Sequence, residues 1–195
     1  MVTPRSTTWR TTMVPRRTPA RDHDRAVRLP DEVWGKLLRD PATLAAYHAK
    51  VFRRGQDDDW FWLGAISEDG QGKLRVPRAM GERVISAPVL GWQISRGPLP
   101  PGPDGRLPVI RHSCDESACL NPLHWILGTR SDNAADYEAR KDDPFSPLRD
   151  KRGPAGRARA IRDAILQARK DGSDIERAIT RAKIVGRPGV QDQLF

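Results

Sequence analysis

Cysteine is nearly absent from this chain, with two in 195 residues. That excludes a disulfide-stapled secreted scaffold, which needs several paired cysteines. Aromatic residues make up 6% and all apolar residues together 37%. A core so short of apolar mass needs another source of cohesion, such as a bound metal. No apolar run reaches the roughly 18 residues of a membrane span, so none is expected. The basic start of the chain has no apolar stretch behind it, so no secretory signal is expected. A sustained heptad is also missing, which excludes a long coiled coil.

What the chain does have is positive charge, unevenly placed. The formal net charge is +9 and the isoelectric point about 10.2. Residues 1–30 hold seven Arg against two Asp, and residues 151–195 hold eleven Lys or Arg against five acidic residues. The 120 residues between them are near neutral. Basic ends on a near-neutral body suit contact with a polyanion, nucleic acid above all. A solvated basic surface that only keeps the protein soluble is the plainer alternative.

Composition divides the chain into a basic flexible arm (1–29), a helical segment (30–55), a central core (56–142) and a basic helical extension (143–195). The arm is rich in Arg, Thr and Pro and lacks periodicity. Leu29-Pro30-Asp31-Glu32 opens a helix to Leu38, and Asp40-Pro41 a second through Phe52. Trp60 to Leu63 reads as a strand, Glu68-Asp69-Gly70 as a turn, and Lys73–Val76 and Val84–Leu90 as further strands, with Trp92–Ser95 a helix or bent strand. A rigid Gly97–Gly102 loop precedes strands at Pro108–Ile110 and Trp125–Leu127. Ser131 can cap a helix to Arg140. Residues 155–170 form an amphipathic helix, and Ser173-Asp174-Ile175-Glu176 has the spacing of a capping box for another.

Both cysteines and two of the four histidines fall in the run from Arg111 to Trp125. Cys114, Cys119 and His124 are spaced by four and four intervening residues. Two thiolates and an imidazole suit Zn²⁺, whose shell wants a fourth ligand. Asp59, His48, His23, a water or His112 can complete it. Such thiols read as ligands rather than a disulfide, which favours a reducing, intracellular setting, cytoplasmic or nucleoid-associated. The plain alternative is two free thiols and a core histidine. For His112 the residues leave three roles open: zinc ligand, core histidine, or general base, since a neutral imidazole can take a proton from water at pH 7. Asn133 offers a hard amide oxygen to Mg²⁺, with Asp132 second, or simply a hydrogen bond at a helix start.

The pattern His112-x-Cys114-x4-Cys119-x-Asn121-Pro122-x-His124, followed by Gly128-Thr129-x2-Asp132-Asn133, resembles the signature of the zinc-binding HNH homing-type endonucleases, a branch of the His-Me finger superfamily. The resemblance covers roughly residues 57–140. It implies an α+β fold with a ββα-metal core, a zinc-stapled loop held by Cys114, Cys119 and His124, a water-activating His112, and a divalent metal on Asn133. Mg²⁺ is the implied ion, with Mn²⁺ able to substitute. It also implies double-stranded DNA as partner, a homodimer, and a phage or mobile-element setting. Upstream, the family's Cys-Trp-x-Trp-x-Gly stretch is matched by Asp59-Trp60-Phe61-Trp62-Leu63-Gly64, so Asp59 stands at the fourth ligand position. Gly70-Gln71-Gly72 stands where the family has Gly-Tyr-Gly. The usual Ala-His-Arg is replaced by Ala87-Pro88-Val89, which leaves Arg75, Arg78 or Arg96 to hold the phosphate.

These features predict a metal-dependent DNA endonuclease. Two other readings compete with it: a nucleic-acid-binding scaffold of the same shape with little or no cleavage, and a zinc-stabilised structural or partner-binding protein.

Overall fold

The computed structural model describes residues 29–76, 81–102 and 107–188. The arm expected over 1–29 therefore lies outside the described residues apart from Leu29, and so do His23 and Arg78.

Helix α1 (Asp31–Arg39) carries Asp31 and Glu32 in its first turn, where acidic groups oppose the positive end of the helix dipole. Helix α2 (Pro41–His48) is capped by Asp40, which accepts from the Thr43 amide at 2.9 Å. The sequence predicts α2 to run on to Phe52, but it stops at His48. Val51 and Phe52 form β1 (Val51–Phe52) instead, antiparallel to β2 (Phe61–Trp62). A β-branched and an aromatic residue suit a sheet better than a helix end.

Strands β3 (Ala65–Ile66), β4 (Gly72–Arg75) and β5 (Val84–Ser86) make a three-stranded antiparallel sheet in that order. The strand expected over 84–90 ends at Ser86, where the chain turns into helix α3 (Ala87–Arg96). Pro88 accounts for the switch: it has no N–H for a ladder, yet fits the first turn of a helix. Trp92–Ser95 lies inside α3.

Strands β6 (Val109–His112) and β7 (Trp125–Gly128) form an antiparallel hairpin in which His112 faces Trp125 and Val109 faces Gly128. Helix α4 (Arg130–Arg140) follows at once and packs on both strands. Its cap is Thr129, not Ser131. Thr129 Oγ1 accepts from the Asp132 amide at 3.1 Å, and Asp132 accepts from the Thr129 amide at 2.7 Å, so each satisfies the other. Helices α5 (Gly153–Asp171) and α6 (Ile175–Val185) pack together as a hairpin, with Gly172 at φ 71° ending α5. Asp174 caps α6, one residue later than the Ser173–Glu176 spacing suggests, accepting from the Arg177 amide at 3.0 Å.

Strand β2 belongs to two apolar clusters at once. Trp62 lies in one with Leu37, Leu74, Ile85, Leu90 and Trp125, while Phe61 lies in the other with Ile161, Ile165 and Ile179 of α5 and α6. Successive strand residues point to opposite faces, so one dipeptide fastens the body to the helical hairpin. Each such side chain contributes about 1.5–3 kcal/mol on burial. The architecture is α+β with small antiparallel sheets. Among the described residues no helix is long and apolar enough to cross a membrane.

Candidate metal centre

Asp59 and Cys119 are far apart in sequence and meet because residues 118–120 run beside β2. Leu120 N donates to Trp60 O at 2.7 Å, Trp62 N donates to Ala118 O at 3.3 Å, and Phe61 bridges Cys119. Asn121, fully buried, clamps the same place. Its side-chain amide donates to the carbonyls of Gln56 and Asp58, both at 2.8 Å. Its oxygen accepts from Leu123 N at 3.0 Å and so starts the 3₁₀ turn Pro122–His124. Ser113 N donates to His124 O at 2.9 Å, closing the loop at the hairpin end.

The result is a four-donor cluster. One ligand atom from each of Asp59, Cys114, Cys119 and His124 lies within 4.8 Å of every other. Cys119 Sγ is 3.4 Å from His124 Nδ1, which is 3.5 Å from Asp59 Oδ1. Donors around a tetrahedral divalent ion, with bonds of about 2.0–2.3 Å, sit roughly 3.3–3.8 Å apart. The donor set and its spacing therefore fit a metal ion. Of the residues proposed for the fourth position, the fold delivers Asp59. His48 sits exposed at the end of α2, 2.9 Å from an Arg53 nitrogen, and is not among the four.

The surroundings orient each donor. His124 Nε2 lies 3.2 Å from the Asp57 carbonyl, which accepts from Nε2–H and leaves Nδ1 to face the cluster. Cys119 Sγ accepts from the Asn121 amide at 3.4 Å. Cys119 is the thiol that ionises first: a hydrogen bond from Cys114, the nearby His112 ring and the Asn121 amide pull it down to about 5, against the opposing effect of burial. Cys114 is pushed up by giving that hydrogen bond, by burial and by the charges of Cys119 and Asp59. Burial also pushes Asp59 up, but Lys183 and the Cys114 hydrogen bond overcome it and leave the carboxyl below its ordinary value.

The helical hairpin grips this loop through buried charge. Lys183 of α6 donates to Asp59 Oδ2 at 2.7 Å and lies 3.5 Å from Glu116 Oε1. Glu116, between the two cysteines, is held by Arg157 of α5, whose Nε reaches both carboxylate oxygens at 3.1 and 2.9 Å. Arg157 also donates to Asp150 at 3.2 Å, and Arg152 donates to both oxygens of Asp150 at 2.8 and 2.6 Å. Sequence reading missed Lys183, Glu116, Arg157 and Asp150, and no local pattern marks them, since each pairs across the fold.

His112 ends β6, two residues before Cys114. Both of its ring nitrogens are buried with no oxygen or nitrogen partner, and the ring lies beside Cys119, whose thiol it helps to lower. A buried imidazole nitrogen without an oxygen or nitrogen partner is costly. On the adjacent position Arg111 pairs with Asp136 of α4 at 2.5 Å, and its Nε is likewise buried without a partner. Arg140 of α4 reaches Asp115 at 3.1 Å. Asn133 is exposed, at the end of the first turn of α4 and one turn before Asp136. Asp132 is taken up by the Thr129 cap. Arg96 lies 4.5 Å over the Trp92 ring and donates to the carbonyls of Pro122 and Trp125, bracing the turn that carries His124. Arg75 is exposed on β4 and pairs with Glu82 at 2.9 Å.

Comparison of the chain with known protein families, with curated proteins and with solved structures finds no match.

Proposed function

We propose that the protein is a metal-dependent DNA endonuclease of the zinc-stapled HNH type, built on a ββα-metal core. One observation carries this reading: the four-donor cluster lies at the end of the β6–β7 hairpin beside His112, whose buried ring nitrogens have no oxygen or nitrogen partner, and the helix after that hairpin bears Asn133 in the open. Two thiolates, an imidazole and a carboxylate suit Zn²⁺, and its role is structural, pinning the loop that follows His112.

In the proposed reaction His112 takes a proton from water. The water oxygen bonds to phosphorus, and the bond from phosphorus to the 3′ oxygen breaks. Asn133 would hold Mg²⁺ or Mn²⁺, which supplies positive charge to the phosphate and the departing oxygen. Arg75 or Arg96 holds the phosphate, and Arg111 beside His112 is a third candidate. β4 and β5 lie along the major groove. The exposed Arg159, Arg169, Arg177 and Arg181 of α5 and α6 support a polyanionic partner through salt-sensitive phosphate contacts. Cutting both strands with one site per chain calls for a homodimer.

The test is nicking of supercoiled plasmid across a Mg²⁺ titration with wild type, His112→Ala and Asn133→Ala. The expected outcome is metal-dependent nicking that drops about 10²–10⁴-fold in His112→Ala. A second reading, a DNA-binding scaffold with little cleavage, draws on the engagement of Arg96 with backbone carbonyls. Retardation of DNA with no nicking at any metal concentration would establish that reading instead.

A further inference from the structure

We propose that Lys183 is a positioning residue of the metal centre, setting how tightly the ion is held by fixing which oxygen of Asp59 faces it. This inference rests on the metal reading of the cluster and not on the nuclease reading, so failure of the plasmid assay leaves it standing.

The geometry separates the two oxygens of Asp59. Oδ2 accepts from Lys183 Nζ at 2.7 Å, whereas Oδ1 is the oxygen 3.5 Å from His124 Nδ1, inside the cluster. Lys183 thus occupies the outer oxygen and leaves one donor atom to the ion. A free carboxylate can rotate or bind through both oxygens, and neither suits a compact four-donor shell beside two thiolates. The charge count points the same way. Two thiolates and a carboxylate around a divalent ion leave one negative charge, in a place where Asp59 is 13% and His124 16% exposed. Lys183 neutralises it.

Lys183 is itself held in place. Glu116 Oε1 lies 3.5 Å from its Nζ, and Arg157 donates to its backbone carbonyl at 3.4 Å. Its ammonium also lies 5.2 Å from the centre of the Phe61 ring, on the strand that follows Asp59. The lysine is therefore part of a rigid support rather than a loose surface cation. A carboxylate at the fourth position is a weaker ligand for a soft site than a thiolate, and α6 supplies the side chain that makes it serviceable.

The experiment measures Zn²⁺ affinity of the full chain by competition with a chromophoric chelator, together with the visible spectrum of the Co²⁺-loaded protein. Wild type, Lys183→Met, Asp59→Cys and the double variant are compared. Loss of a supporting partner of this kind typically weakens metal binding by about 10- to 100-fold. Lys183→Met should fall in that range and show a shifted Co²⁺ spectrum. In the Asp59→Cys background, where the net charge is unchanged but there is no carboxylate to orient, Lys183→Met should weaken binding clearly less than it does with Asp59 in place. A folded Lys183→Met protein with wild-type affinity overturns the proposal. So does an equal loss in the Asp59→Cys background, which would make the lysine a mere counter-charge. If Lys183→Met fails to fold even with excess Zn²⁺, the double variant decides: folded and tight supports positioning, unfolded overturns it.

Discussion

Arg157 and Glu116 face each other as fork on fork, with Arg157 Nε 2.9 Å from Oε2 and a terminal guanidinium nitrogen on Oε1, both side chains less than a tenth exposed. Glu116 sits between the two cysteine donors and Arg157 on α5, so one ion pair fastens the metal loop to the helical hairpin. Removing one partner of a buried pair strands the other charge, at a cost of about 3–5 kcal/mol. Arg157→Met should lose that much in urea unfolding with Zn²⁺ held in excess, and Arg157→Met with Glu116→Leu should lose clearly less. A single-variant loss below about 1 kcal/mol, the range of a surface pair, would show that the contact does not hold the loop.

Chelation should destabilise the whole protein. An ion that binds only the folded state, present at about 1,000 times its dissociation constant, adds about 4 kcal/mol. Thermal melts with and without a strong chelator should differ accordingly, and Cys114→Ser and Cys119→Ser should melt like the chelated protein. Melting curves that superimpose would leave the four donors without an ion.

Asp150 gives a pH-dependent contribution. Burial would raise its carboxyl, but hydrogen bonds from Arg152 and Arg157 win and leave it below the ordinary 3.8. A carboxyl lowered on folding adds stability that is fully present above its unfolded value and is lost as pH falls through its folded value. Wild type should therefore exceed Asp150→Asn in melting temperature at neutral pH, with the gap constant down to about pH 4 and narrowing below that. A gap that widens in acid would reverse the sign of this argument.

Gly91 in α3 tests close packing against helix propensity. Alanine is the better helix former by about 1 kcal/mol. A methyl group there would lie 2.2 Å from the Tyr47 hydroxyl oxygen and 2.6 Å from the edge of Trp125, both buried. Overpacking of this kind costs about 1–3 kcal/mol, so Gly91→Ala should unfold at lower urea than wild type. Equal or greater stability would mean that α3 can shift away from Tyr47.

The four-donor cluster is legible in the sequence because three of its donors sit in one short run and the fourth is marked by the Trp60-Phe61-Trp62 strand beside it. The β6–β7 hairpin and the helix bearing Asn133 were readable for the same reason: their pairing is local. Short-range propensity misled where a distant partner decided the outcome. Val51 and Phe52 continue an apolar helix face until β2 arrives to pair with them. Ala87–Leu90 reads as a strand unless Pro88 is given its due as a residue of the first helical turn. The charged support of the metal loop was invisible because Lys183, Glu116 and Arg157 are ordinary surface types whose burial depends on α5 and α6 docking.

The order of residues along the chain gives that docking a consequence in time. All four donors, from Asp59 to His124, are synthesised before Arg157 and Lys183. Domains fold as they are synthesised, at about 5–20 residues per second, so the donor loop waits several seconds for the cations that brace it. Only when the last helix docks does Asp59 gain the ammonium on its outer oxygen.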